Sequence, residues 1–130
     1  MDKKILSTGA IFGIIAIILG AFGAHALKKV LSIEQLSTFE TGVRYQMYHA
    51  LFLLFLGLMT QVPQSTKKTI FLLVLIGVIL FSGSIYLLAT NDLTSFNFKI
   101  IGFVTPIGGL LLILAWCGLL LNIMNKKSQK

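Results

Sequence analysis

Charge is scarce in this chain. Of its 130 residues 12% are charged, against 56% hydrophobic. A soluble domain of this length needs a charged coat to stay in water, and there is too little charge here to make one. The mean hydropathy of +0.92 points the same way, to lipid as the solvent for most of the chain. Cysteine is confined to Cys117, which excludes an internal disulfide; a lone thiol within an apolar run packs as a small apolar group. Acidic residues number 4 against 11 lysines and arginines. That excess would suit nucleic acid if the lysines lined a groove with aromatic residues between them. Instead they come as pairs flanking apolar runs, Lys3-Lys4, Lys28-Lys29, Lys67-Lys68 and Lys126-Lys127. Such pairs fit membrane-surface anchors and exclude a nucleic-acid partner. Catalytic signatures are missing as well: there is no G-x-S-x-G, no H-E-x-x-H and no glycine-rich loop opening a helix. Gly20-Ala21-Phe22-Gly23 ends a helical stretch, the wrong polarity for cradling phosphate. His25 and His49, with no cysteine or acidic partner at fixed spacing, do not make a metal set. No cofactor is expected.

What is present is four long apolar stretches, about 5–24, 45–62, 69–90 and 100–124. Each is long enough for the roughly 30 Å hydrocarbon layer. An open sheet would leave unpaired backbone groups in lipid, so helices are required. The first stretch also resembles a signal peptide, with Ala24-His25-Ala26 as an A-x-A site. Its apolar run of about 20 residues exceeds the usual 7–15 of such segments, which favours a span. Between the first two spans, Ser32-Ile33-Glu34-Gln35 has the form of a capping box. Apolar residues then recur at Ile33, Leu36, Phe39, Val43 and Met47, and Glu40 precedes Arg44 by the favourable four residues. This predicts an interfacial amphipathic helix over about 32–44 that runs or bends into the second span. Pro63 is expected to end that span, with Gln64-Ser65-Thr66 as a polar turn. The fold expected is all-α: a single polytopic membrane domain over 1–130, a four-transmembrane-helix bundle. Lys3, Lys4, Lys67, Lys68, Lys126, Lys127 and Lys130 share one side, against Lys28, Lys29, Arg44 and Lys99 on the other. The imbalance puts both termini in the cytoplasm.

Three sets of residues stand out. Gly9, Gly13, Ala16, Gly20 and Gly23 make a stripe of small side chains on the first span, suited to close helix packing. Pro106, followed by Gly108 and Gly109, predicts a kink in the fourth span, because proline removes an amide and clashes with the carbonyl of Gly102. Polar residues are lopsided: His25, Glu40, Arg44, Tyr45, Gln46, Tyr48, His49, Ser82, Ser84, Tyr86 and Thr105 all gather toward the outer side. The inner halves of the spans are almost wholly aliphatic. A buried polar network holding the bundle explains this cluster, and a pocket for a lipid head group or ligand is the second explanation. Arg44, Tyr48 and His49 are expected to point inward and meet His25, Ser82 or Ser84, since lipid exposure of so many donors is costly.

The segments Gly20-Ala-Phe-Gly-Ala-His25, Phe39-Glu-Thr-Gly-Val-Arg-Tyr-Gln-Met-Tyr-His49, Ser82-Gly-Ser-Ile-Tyr86 and Thr105-Pro-Ile-Gly-Gly109 make the chain resemble a known family. It is similar to the bacterial membrane proteins of domain of unknown function 423, also called uncharacterised protein family 0382, with animal relatives termed transmembrane protein 256. The resemblance covers nearly the whole chain and implies a multi-pass protein of the bacterial cell membrane. It implies no activity. The expectation is therefore a non-enzymatic, membrane- or lipid-associated protein. A small transporter or channel subunit is the alternative; four short helices leave little room for a pore, so transport requires a homo-oligomer. A membrane enzyme would require two polar groups converging on one cavity.

Overall fold

The computed structural model describes residues 1–95 and 97–126, without the side chains at 98, 99 and 126. The described residues are helical, with turns and no strand. Four long helices follow in order: α1 (Asp2–His25), α2 (Ile33–Leu58), α3 (Gln64–Ala89) and α4 (Val104–Lys126). Short 3-10 turns lie at Leu27–Lys29, Asn91–Leu93 and Phe98–Ile101. Among the described residues, three stretches are long and apolar enough to cross a membrane: Asp2–Lys29, Gln64–Ala89 and Val104–Asn125. Lys99, Lys127 and Lys130, which counted toward orientation, lie outside the described side chains, as does Lys126.

The capping box forms as the sequence predicts. The Ser32 side chain accepts from the Gln35 amide at 3.1 Å, and Gln35 Oε1 accepts from the Ser32 amide at 2.9 Å. From there α2 runs unbroken to Leu58, so the amphipathic stretch and the expected second span are one helix. It stops before Val62. Pro63 instead opens α3, so Gln64, Ser65 and Thr66 form a first helical turn rather than a loop. Pro63 suits that place, because its fixed φ near −60° and missing amide cost nothing at a helix start.

Pro106 is corrected too. α4 begins at Val104, so Pro106 lies in its first turn, where amides have no helical partner, and Gly102 lies outside the helix. No kink follows. Gly108 has a different task. A Cβ there would stand 2.4 Å from the Phe81 nitrogen and 2.8 Å from the Leu80 carbonyl carbon, so the α3 and α4 backbones touch. At Gly109 the nearest atoms are Phe81 ring carbons at 3.5 Å and beyond, ordinary contact.

The contacts define an antiparallel order. Gly9 of α1 meets Ala50 and Leu53 of α2, while Gly23 meets Phe39. Gly42 of α2 meets Ile85 and Tyr86 of α3, and Gly118 of α4 meets Ile70. Thus α1 packs on α2, α2 on α3 and α3 on α4. α3 is the most enclosed of the three apolar stretches, with 44% of its most apolar window buried against 17% for those of α1 and α4. Ile5, Leu53, Leu56, Ile70, Val74 and Ala115 form the main core, and a smaller cluster of Leu27, Leu31, Phe39 and Ala89 closes the opposite end. The outside is as apolar as the inside: Ile14, Ile17 and Ile18 of α1, Ile79 of α3 and Ile113 and Leu121 of α4 are exposed. Lipid contacts such a surface as well as protein does, so packing depth and hydrogen bonds, rather than water expulsion, hold helices together.

Candidate functional site: a polar belt between two apolar clusters

The belt is built on α2, whose residues 42, 46 and 49 face inward by helical spacing. Gln46 and His49 are buried, as are Ser82 and Ser84 on α3. Gln46 spans three helices. Its Nε2 donates to the Phe12 carbonyl of α1 at 2.9 Å, and its Oε1 accepts from the Tyr86 hydroxyl of α3 at 2.6 Å. One turn earlier, the Ser82 hydroxyl donates to the Gly42 carbonyl at 2.8 Å. That bond and the close approach of Gly42 to Tyr86 come together: an added Cβ would sit 2.7 Å from the Tyr86 ring. Tyr86 also stacks at a tilt on Phe39, centroids 5.1 Å apart.

α4 joins through two contacts. Ser84 donates to the Phe81 carbonyl at 3.0 Å, leaving the Thr105 hydroxyl to donate to Ser84 Oγ at 2.6 Å. Lower down, the Trp116 indole N–H reaches His49 Nε2 at 3.1 Å. Indole only donates, so Nε2 accepts and Nδ1 carries the proton, which it gives to the Tyr45 carbonyl at 2.7 Å. Both ring nitrogens are engaged, and His49 is a neutral connector between α2 and α4. The Trp116 ring lies against Phe52 with centroids 4.5 Å apart.

Other members of the expected cluster sit elsewhere. Arg44 is exposed and donates to Thr41 on its own helix at 3.2 Å, not to Glu40, which is also exposed. Tyr48 and His25 are exposed rather than inward. Arg44 lies two residues, about 200°, around the helix from both Gly42 and Gln46, so once those two face α3 and α1 it must face out. Tyr45 is half-exposed but packs edge-on against Phe81 of α3. Of the three residues expected to turn inward only His49 is buried, and its partner is Trp116, not His25, Ser82 or Ser84. On α1, Gly9, Ala16 and Gly23 are buried against α2, whereas a Cβ added at Gly13 or Gly20 would meet nothing nearer than 3.9 and 3.5 Å.

Two features escaped the sequence reading. Trp116 sits near the middle of α4, away from the span ends where tryptophan usually anchors; a mid-span indole needs a partner, and that was the available signal. The second is at the opposite end. Lys67 is 1% exposed, not a surface anchor like its neighbour Lys68. Its Nζ pairs with Asp2 Oδ1 at 2.9 Å, and Gln64 donates to the same oxygen at 3.1 Å. The Gly57 carbonyl is 3.4 Å from Nζ. The start of α1 is thereby tied to α2 and α3.

The part of the belt from Gly42 to Thr105 lies within a stretch that matches a known protein family. The match to the family described as "Protein of unknown function (DUF423)" spans residues 19–109. The chain belongs to this family. A UPF0382 membrane protein of Staphylococcus saprophyticus is 39% identical over 120 residues, 92% of this chain and 96% of that protein. The UPF0382 inner membrane protein YgdD of Escherichia coli is 36% identical, covering 98% of this chain and 95% of that one. A UPF0382 membrane protein of Haemophilus influenzae is 35% identical over 98% of this chain and 99% of its own. No solved structure matches. This DUF423 protein is thus a membrane protein of a family whose names carry no enzymatic or transport activity.

Proposed function

We propose that this protein is a non-enzymatic, multi-pass protein of the bacterial cell membrane in which all four helices cross the bilayer as a bundle. The N-terminal part of α2 lies at the outer interface, both termini are cytoplasmic, membrane lipids are its surroundings, and the outer polar belt joins helices rather than performing a reaction. The observation that carries this reading is Gln46, buried and bonded at once to α1 and α3. An amide left unpaired in lipid costs several kcal/mol. The polar residues that keep α2 from being uniformly apolar are therefore compatible with a span when turned inward and satisfied. The exposed residues Glu34, Ser37, Glu40 and Arg44, opposite buried Phe39 and Gly42, support an interfacial placement for the first part of the helix. Asp2 and Lys67 at one end, and the Gln35–Asp92 bond of 2.6 Å at the other, support alternate crossing.

Single cysteines test this. With Cys117 replaced, a cysteine at Ser37 should react with a membrane-impermeant thiol reagent in intact cells, and one at Ser65 should react only after lysis. Both positions are exposed, so access is set by the membrane. Labelling of Ser65→Cys alone in intact cells would invert the topology; labelling of both would remove the span between them.

A further inference from the structure

α2 and α4 both pack on α3 but not along one another, and between them lies a groove of about 430 Å³. Its walls include Thr41, Tyr45 and His49 of α2, Phe81 of α3 and Ile113 and Trp116 of α4. Small Gly109 opposite Phe81 helps keep it open. The groove is mostly apolar, and in a bilayer a space of this size does not stay empty. Beside its outermost α2 residue, Thr41, stands a charge that does not itself line the groove. Arg44, exposed, is held by its bond to Thr41, which lines the groove. That bond uses one of five guanidinium N–H donors, and Glu40 does not take the rest. An exposed cation with unused donors, bonded to a residue that lines an apolar groove, matches a phosphate joined to a hydrocarbon chain.

We propose that this groove binds an anionic phospholipid, its phosphate on Arg44 and one acyl chain running past Tyr45 and His49 to Trp116. The spacing fits: His49 is five residues beyond Arg44, about 7.5 Å along the helix, so the indole meets the upper carbons of the chain. A second, smaller groove of about 280 Å³, lined by Tyr48, Phe55 and Met59, continues past Trp116 in the same direction. Another copy of this chain is the rival occupant, but helices associate in lipid through small residues. Gly108, Ala115 and Gly118 of α4 already face α3, and Gly109 is the one small residue that α4 turns to the groove, among bulky Leu112, Ile113 and Trp116.

The site rests on the membrane-spanning reading above, and the chain's single tryptophan offers a direct probe of both. The full chain is reconstituted into phosphatidylcholine vesicles carrying an equal fraction of brominated phosphatidylglycerol or brominated phosphatidylcholine, and Trp116 fluorescence is measured. The anionic lipid should quench roughly two- to fivefold more effectively, the range an exposed, screened ion pair provides. Arg44→Gln should bring the ratio to about one with helicity and emission maximum unchanged, and Arg44→Lys should keep part of it. An equal ratio in the unaltered protein would overturn the site, as would a preference that survives Arg44→Gln. Quenching that disappears as protein is crowded into the vesicles would assign the groove to a second copy instead. Absence of quenching by either lipid would take Trp116 out of the hydrocarbon and defeat the membrane reading as well.

Discussion

At Gly108 the α4 backbone lies against the backbone of α3 near Leu80 and Phe81, and no side-chain movement relieves a clash between main chains. Gly108→Ala should therefore destabilise the protein by about 1–3 kcal/mol through overpacking. Gly109→Ala, where the nearest atoms leave room, should be close to neutral. Thermal melts of the two variants in one detergent check the contrast, and equal melting temperatures would contradict it. The glycine pair is visible in the sequence, but which member is indispensable depends on the rotation of α4. Lys67 and Lys68 teach the same lesson. Neighbours on a helix point 100° apart, so one of two identical residues is buried and the other exposed. Lys67 sits inside with Asp2 as its only ionic partner among the described residues. Asp2→Asn would leave a buried ammonium unpaired, whereas Lys67→Met removes the charge and leaves Asp2 to water. The first should lower the melting temperature more than the second; the reverse order would show that the pair, rather than the stranded cation, matters.

Between helices, the belt links every neighbouring pair. Gln46 and Tyr86 share a bond of 2.6 Å, so removing either leaves the other's buried oxygen without its partner. Gln46→Leu and Tyr86→Phe should each cost about 0.5–2 kcal/mol, with the double variant well short of the sum. Additive losses in a thermodynamic cycle would show no coupling across α2 and α3. His49→Ala removes the acceptor for Trp116 and the bridge from α2 to α4, with an expected loss of about 1–3 kcal/mol in a chemical-denaturation curve. A normal curve would mean that α4 is held without the bridge. The existence of α2 and its capping box were legible from Ser32 and Gln35, because both partners lie within one turn. Its end was not. Pro63 marks a boundary in either direction, and the structure uses it to begin α3 rather than to close α2.

Across the whole molecule, two apolar clusters flank a polar belt, and the exterior is apolar on α1, α3 and α4. The lopsided distribution of Gln46, His49, Ser82, Ser84, Tyr86 and Thr105 is a property of residue order and could be read directly. So could the helical class, because long uncharged stretches admit no other way to satisfy backbone groups in lipid. The composition by itself determined that this chain is helical and belongs in a membrane, since those follow from apolar length and charge count. Which polar groups meet was decided only by the tertiary structure. Gln46 has its partners 34 residues before and 40 residues after it, and Trp116 finds His49 67 residues away. Helical spacing names a face but not the neighbour it faces. Arg44 turned outward because Gly42 and Gln46 face neighbouring helices, and Lys67 turned inward to Asp2 of α1; those rotations come from contacts between helices, which no local pattern contains.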